Sequence, residues 1–348
     1  MASEPIRDTD YQPVQVNSKD RQLLINSIVG VGKLGASFGL PIVHSTVNVR
    51  RYVARLLIVF IGVLGMVAAT TAAPLELPPL VQPPSVEHYP GKVIWLDLVT
   101  PDLAGAKHFY GELFGWTFQD VSKGRTPYCV ATLNGSPVGG LVQRAIGPGQ
   151  RRQPAWLTFL SVADVEQAER IALANGGKVL SEPRGYPQRG RQAVFADAQG
   201  AVFAVLQSSG GDAPGVLAQP GQWIWSSLLT GDPDKDAAFY RAVFGYQVFD
   251  QIRDDGVEHV LLASNDYARA SVNALPPGSS GLHPHWLNFV RVVNTADSVA
   301  KVKALGGQVL VAPHLDRHGG SIAVVADPSG APFGLLEWTD TDTKEVTK

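Results

Sequence analysis

The sequence predicts an α+β protein in which four βαβββ units form two tandem domains behind an N-terminal signal or membrane-anchor segment. Three observations carry that reading. The first is a long internal repeat. Lys92–Asp102 (KVIWLDLVTPD), followed by Phe109-Tyr110 and Phe114-Gly115, returns as Gln222–Asp232 (QWIWSSLLTGD), followed by Phe239-Tyr240 and Phe244-Gly245. One displacement relates the copies: 225−95, 239−109 and 245−115 all give 130. A unit this long exceeds one solenoid repeat and reads as a duplicated domain. The second observation is an apolar period that switches between strand and helix in the same order inside each copy. The third is an uncharged run, Leu56–Ala69, preceded by Arg50, Arg51 and Arg55.

Within the first copy, Val93–Val99 is apolar and β-rich and reads as a strand. Thr100-Pro101-Asp102 then supplies a cap, a proline at the first helical position and an acid in the first turn. Leu103, Ala106, Phe109, Tyr110, Leu113 and Phe114 keep helical spacing until Gly115 ends the helix. Strands follow at Trp116–Val121, Tyr128–Leu133 and Val138–Gln143. The order restarts with a strand at Ala155–Val162 and a helix capped by Asp164 that ends at Asn175-Gly176-Gly177. Short strands come next at Lys178–Leu180, Gln192–Ala196 and Val202–Gln207. The second copy repeats the pattern, with helices at Asp232–Phe244 and Thr295–Leu305.

The expected organisation is a tail at 1–55, the apolar segment at 56–73 and a proline-rich spacer at 74–90. The first domain then spans 91–208, a linker 209–220, the second domain 221–338 and a tail 339–348. Arginines before the apolar run, and no Lys or Arg after it until Lys92, orient the N-terminus to the cytoplasm and the domains to the periplasmic or extracellular side. The segment fits a cleaved signal peptide or a retained short membrane span. Prolines 74, 78, 79, 83, 84 and 90 predict an extended spacer rather than packed structure. Gly30-Val-Gly-Lys-Leu-Gly35 has the form of a dinucleotide fingerprint, but Pro41 interrupts and no acid follows until Glu76.

Formal charge of −2 and 45% hydrophobic residues argue against nucleic acid as a partner. A single cysteine, Cys129, excludes an intrachain disulfide framework and a cysteine-based zinc site.

A strand followed by D-L-x-x-A-x-x-F-Y-x-x-x-F-G-W, then S-V-x-D-V-x-x-A, N-G-G and F-x-D-x-x-G-x-x-F, resembles the vicinal oxygen chelate superfamily. That group includes glyoxalases, bleomycin-resistance proteins and extradiol dioxygenases. The resemblance covers Gly91–Ser208 and Gly221–Trp338, and implies paired βαβββ units curled into a cup around a small-molecule cavity. It also implies metal ligands on inward strand positions, which fall here on Trp95, Gly140 or Leu141, Leu157 and Ala204. In the second copy they fall on Trp225, Ala270 or Ser271, Leu287 and Gly334. These residues are poor donors for a divalent metal, so no metal cofactor is expected.

The inward faces instead predict a ligand-binding set: Trp95, Asp97, Leu157 and Phe159 in the first cup, and Trp223, Trp225, Ser227, Leu287 and Phe289 in the second. Broad indole faces with one N–H donor suit a planar, apolar small molecule. His259, aligned with Cys129, and His285 are the alternative as an atypical metal site in the second domain, which would make the protein a glyoxalase- or dioxygenase-like enzyme. A third alternative is an interaction module with vestigial cups. The expected partners are a small ligand and, if residues 56–73 are retained, the membrane. Monomer and homodimer both fit.

Overall fold

The computed structural model describes residues 76–122, 126–145, 153–252, 258–276, 282–315 and 320–338, with the side chains of 250–252, 258 and 259 left aside. The apolar run 56–73, the tail before it and the C-terminal tail lie outside the described residues. Among the described residues, no helix is long and apolar enough to cross a membrane.

The first domain runs β1 (Val93–Thr100), α1 (Leu103–Phe114), β2 (Thr117–Ser122), β3 (Tyr128–Leu133), β4 (Ser136–Gln143), β5 (Ala155–Ser161), α2 (Val165–Ala174), β6 (Lys178–Tyr186), β7 (Gly190–Ala196) and β8 (Val202–Ser208). The second runs β9 (Trp223–Thr230), α3 (Pro233–Phe244), β10 (Gln247–Ile252), β11 (Glu258–Ser264), β12 (Tyr267–Ala274), β13 (His285–Val292), α4 (Thr295–Ala304), β14 (Gln308–Leu315), β15 (Ser321–Ala326) and β16 (Pro332–Glu337). Each domain makes one eight-stranded sheet in the same order, β2-β3-β4-β1-β5-β8-β7-β6 and its copy β10-β11-β12-β9-β13-β16-β15-β14. The antiparallel pairs β1–β5 and β9–β13 join the two βαβββ halves.

Local chemistry sets the element ends. Asp102, Asp164, Asp232 and Asn294 cap the four helices, each side chain accepting from a backbone N–H three residues on. The first of these corrects the expected cap at Thr100: Pro101 lies outside the helix, and Asp102 itself is the cap. Gly115 and Gly245 end α1 and α3 at φ of 75° and 71°, the left-handed region that favours glycine. The edge strand β6 runs six residues beyond its expected end, through Pro183. Two register shifts and its edge position accommodate the missing N–H.

The two domains share their core. Leu160, Val165 and Phe203 of the first pack with Phe239, Tyr240, Leu262 and Trp286 of the second. Leu98, Phe109, Tyr110 and Cys129 pack in turn with Val302, Val325 and Phe333. Helix α1 meets α4, and α2 meets α3. Where the central strands β5 and β13 meet, Asn288 Nδ2 donates to Thr158 Oγ1 (3.0 Å) and Ser226 Oγ donates to Asn288 Oδ1 (2.7 Å). The opposite face of each sheet carries a smaller apolar cluster of its own, and these two faces are the cups.

Residues 76–90 form no helix or strand and bend over 80–83, and they are not a free spacer. Leu77 is 4% exposed and belongs to the apolar cluster of the first cup, with Leu80 packed against it. Farther along, Ser85 N–H donates to the Gly210 carbonyl (2.7 Å) and Asp212 N–H to the Glu87 carbonyl (2.8 Å), so this segment pairs with the interdomain linker. Burial of two leucines outweighs the stiffness of the proline run.

Candidate functional site

Strand alternation lines the first cup with Trp95 and Asp97 from β1, Tyr128 and Val130 from β3, Phe159 from β5, and Ala204 and Leu206 from β8. Leu157 packs against the same cluster. The floor is polar and tightly bonded. Trp95 Nε1 and the Tyr128 hydroxyl both donate to Asp97 Oδ1, each at 2.8 Å. Gly140 makes this convergence sterically feasible, since a Cβ there would lie 2.0 Å from the Tyr128 oxygen and 2.1 Å from Asp97 Oδ1.

Arg189, 2% exposed, lies over the Trp95 ring with its guanidinium carbon 4.4 Å from the ring centroid. Burial raises the Asp97 carboxyl above its ordinary value, and Arg189, Tyr128 and Trp95 oppose that rise. Burial and the neighbouring carboxylate hold the Tyr128 hydroxyl firmly protonated.

The second cup has the same layout without charge on its floor. Trp225 Nε1 donates to Ser271 Oγ (3.1 Å), Ser227 Oγ lies 2.7 Å from Ser271 Oγ, and Asn273 Nδ2 donates to Ser271 Oγ (3.1 Å). Leu287, Phe289, Ile322 and Leu336 form its apolar wall. Buried Asn273 Oδ1 has no hydrogen-bond partner in this structure. Ser227 stands where the first cup has Asp97, and Ser271 where it has Gly140, as the parallel pairings Asp97↔Gly140 and Ser227↔Ser271 show.

Trp223 departs from the expected set. A register shift between Phe289 and Val290 inserts Ile224, so Trp223 and Trp225 point to opposite faces. Ile224 joins the cup cluster instead. Trp223 Nε1 donates to the Val138 carbonyl (2.8 Å), and its ring meets Trp156 at 4.8 Å in the interdomain core.

His259 is also re-registered. It pairs with Asn273 as Tyr128 pairs with Val142, and Val260 pairs with Val272 as Cys129 pairs with Leu141. Its counterpart is therefore Tyr128 rather than Cys129, because the repeat offset grows by one residue across β11 and β12. Cys129 is buried, and burial pushes its thiol up to about 11. His285 Nδ1 donates to the His283 carbonyl (2.8 Å) at the entry to β13.

A metal of the kind the superfamily often uses does not fit the described donors. The inward positions of the first cup offer indole, phenyl and methyl groups around one carboxylate already committed to Trp95 and Tyr128. Among the described side chains, those of the second cup offer hydroxyls and one amide, with the His285 imidazole at the edge already bonded to the His283 carbonyl. No cluster of three metal-ligating side chains occurs among the described residues.

The glyoxalase/bleomycin resistance protein/dioxygenase superfamily profile matches residues 92–205 and 224–335, once on each cup. The chain belongs to this superfamily. It is 32% identical over 258 residues to a Mycobacterium tuberculosis protein named "Putative glyoxylase CFP32", covering 73% of this chain and 98% of that protein. It is 33% identical over 261 residues to the anthracycline biosynthesis protein DauV of a Streptomyces species, covering 71% and 94%.

Among solved structures, the Mn(II)-bound glyoxalase of Novosphingobium aromaticivorans matches with a TM-score of 0.51 at 17% identity, over 72% of this chain and 83% of that one. An extradiol ring-cleaving dioxygenase from B. fuscum matches with a TM-score of 0.51 at 13% identity, over 74% of each. These structural likenesses speak for the superfamily fold alone.

The sequence points to Trp95, Asp97, Leu157, Phe159, Trp225, Ser227, Leu287 and Phe289 on the cup faces, and the structure brings them there. Tyr128, Arg189, Asn273 and Leu77 escape sequence reasoning. Tyr128 alternates with Val130 and was open to detection. Arg189 sits in a connection between strands, where no periodicity speaks.

Proposed function

We propose that the protein binds a small, planar, largely apolar molecule in its cups without a metal, sequestering rather than transforming it. The observation that carries this reading is the pair Trp95 and Trp225. They occupy matched cup positions, each donating its indole N–H into a polar floor and setting its ring in the apolar cluster of its cup. The similarity to a protein named for anthracycline biosynthesis supports a planar polycyclic ligand. The test is a fluorescence titration of the chelator-treated chain with planar aromatic compounds. Saturable indole quenching that survives removal of metals is the expected outcome, and absence of quenching by any of them overturns the proposal.

A second reading, a glyoxalase-like enzyme with an atypical metal site in the second domain, draws on the name of the mycobacterial relative and on the register of His259 opposite Asn273. Metal content measured on the purified chain separates the two. We further propose that residues 56–73 export or anchor the chain with both cups on the non-cytoplasmic side, on the strength of the arginines before the run and their absence after it. A reporter fused after Ser208 that works only in the cytoplasm would rule this out.

A further inference from the structure

The first cup holds part of its own chain. Leu77 and Leu80 fill the space beside Trp95, Tyr128, Phe159 and Leu206, where a bound molecule would sit. Arg189 Nε donates to the Pro78 carbonyl (2.7 Å), and among the described residues this is the one hydrogen bond holding residues 76–84 to the rest of the protein. The prolines at 78, 79, 83 and 84 bring no N–H donors, so this stretch cannot join a neighbouring strand through them. From Ser85 onward the chain is fastened to the linker, which leaves residues 76–84 as a strap tethered at its C-terminal end.

The latch is imperfect. Arg189 is almost fully buried, yet its Nη2 has no hydrogen-bond partner. A single main-chain carbonyl satisfies one arm of the guanidinium fork and leaves the other empty. A carboxylate would take Nε and Nη2 together in the bidentate geometry that the guanidinium favours. Lying over the indole, the same guanidinium is placed for a carboxylate on the edge of a ring stacked at Trp95.

We propose that residues 77–81 are an intramolecular occupant of the first cup, displaced when Arg189 exchanges the Pro78 carbonyl for the carboxylate of a planar aromatic ligand. This rests on the reading of the cups as binding sites. It makes the cups unlike: the first is gated and selective for a carboxylate, whereas in the second, with its serine floor, the buried cation is Arg291, whose two Nη atoms already donate to the Ala218 and Trp338 carbonyls.

The test uses the full chain and two probes, 2-naphthoate and uncharged naphthalene. Replacing Leu77 and Leu80 together by serine removes the occupant's apolar grip. The proposal expects both probes to bind the first cup more tightly, 2-naphthoate at least tenfold, and expects Arg189→Met in that background to abolish the preference for 2-naphthoate over naphthalene.

A variant that melts as the wild type does but binds 2-naphthoate no better overturns the proposal. Should the double variant not fold, limited proteolysis of the wild-type chain decides. Saturating 2-naphthoate should speed cleavage within residues 77–81, and a strap whose cleavage rate does not change overturns the gate. Binding confined to the second cup, lost on Trp225→Ala, sinks the gate while leaving the binding reading intact. No binding of either probe to any form sinks both.

Discussion

The Tyr110 hydroxyl of the first domain donates to Asp327 Oδ2 of the second at 3.2 Å, and Tyr240 returns the same bond to Asp197 at 3.1 Å. Each tyrosine oxygen also accepts from an indole, Trp156 Nε1 at 3.0 Å and Trp286 Nε1 at 2.9 Å. Adding the repeat offset of 130 to Trp156, Tyr110 and Asp197 gives Trp286, Tyr240 and Asp327, so duplication built one lock twice. The other oxygen of each aspartate caps its own turn, with Asp197 Oδ1 and Asp327 Oδ1 accepting from Ala201 and Ala331 N–H. One carboxylate thus shapes a local turn and ties the domains together.

Tyr110→Phe leaves Trp156 Nε1 and Asp327 Oδ2 without this partner inside the shared core. We expect it to destabilise the chain by about 1–3 kcal/mol, and Tyr240→Phe to do likewise. Chemical denaturation of both variants checks this. A loss within about 0.5 kcal/mol, the range of ordinary surface substitutions, would show that the lock contributes little.

Asp236 in α3 is fully buried, with Thr230 and Gln199 as the polar neighbours of its carboxylate. Desolvation pushes its carboxyl up to about 6, outweighing the lowering influence of Thr230. The folded chain therefore holds a proton that the unfolded chain has already released. This group stabilises the fold most below about pH 4, and its contribution is lost as pH rises through 6. Asp236→Asn should flatten stability between about pH 4 and pH 7 and raise it at neutral pH by roughly 2 kcal/mol. Melting curves across that range test it, and an unchanged pH profile in the variant contradicts it.

Gly334 has no room for a side chain, since its Cβ would fall 2.0 Å from Phe289 Cδ1. At the matching place in the first cup, Ala204 sits beside Phe159. Gly334→Ala should cost about 1–3 kcal/mol by forcing the Phe289 ring aside, whereas Ala204→Gly should cost about 1 kcal/mol or less. Thermal melts of the two variants compare them directly, and equal losses would refute the steric account.

Metal analysis of the purified chain should find no stoichiometric divalent ion. The alternative metal site predicts one equivalent that disappears when His259 and His285 are each replaced by alanine. That result would move the second domain into the metal-dependent branch of the superfamily.

Much of this arrangement is legible in the sequence because it follows from periodicity. The 130-residue repeat, the cap at Asp164 and the stop at Gly115 are local patterns that tertiary packing leaves in place. What escaped depends on events without a period. A bulge at Ile224 turned Trp223 out of the cup, and a one-residue offset in β11 moved His259 onto the position of Tyr128. Strand alternation has a period of two, so any single-residue insertion exchanges the faces. Pro78 and Arg189 meet across more than a hundred residues of sequence, a long-range contact that composition could not announce. Composition described the prolines near Leu77 as a spacer, and burial decided otherwise.

The central claim, that the cup tryptophans bind ligand, is tested most directly by a paired titration of Trp225→Ala and Trp223→Ala with a planar aromatic ligand that quenches the wild type. The account predicts that Trp225→Ala weakens binding at the second cup roughly ten- to hundredfold, equivalent to about 1–3 kcal/mol of lost stacking and buried area. Trp223→Ala, in the interdomain core, should lose about 3–5 kcal/mol of stability and bind the ligand unchanged. If Trp225→Ala keeps wild-type affinity and loses stability as Trp223→Ala does, Trp225 is core and the binding account fails.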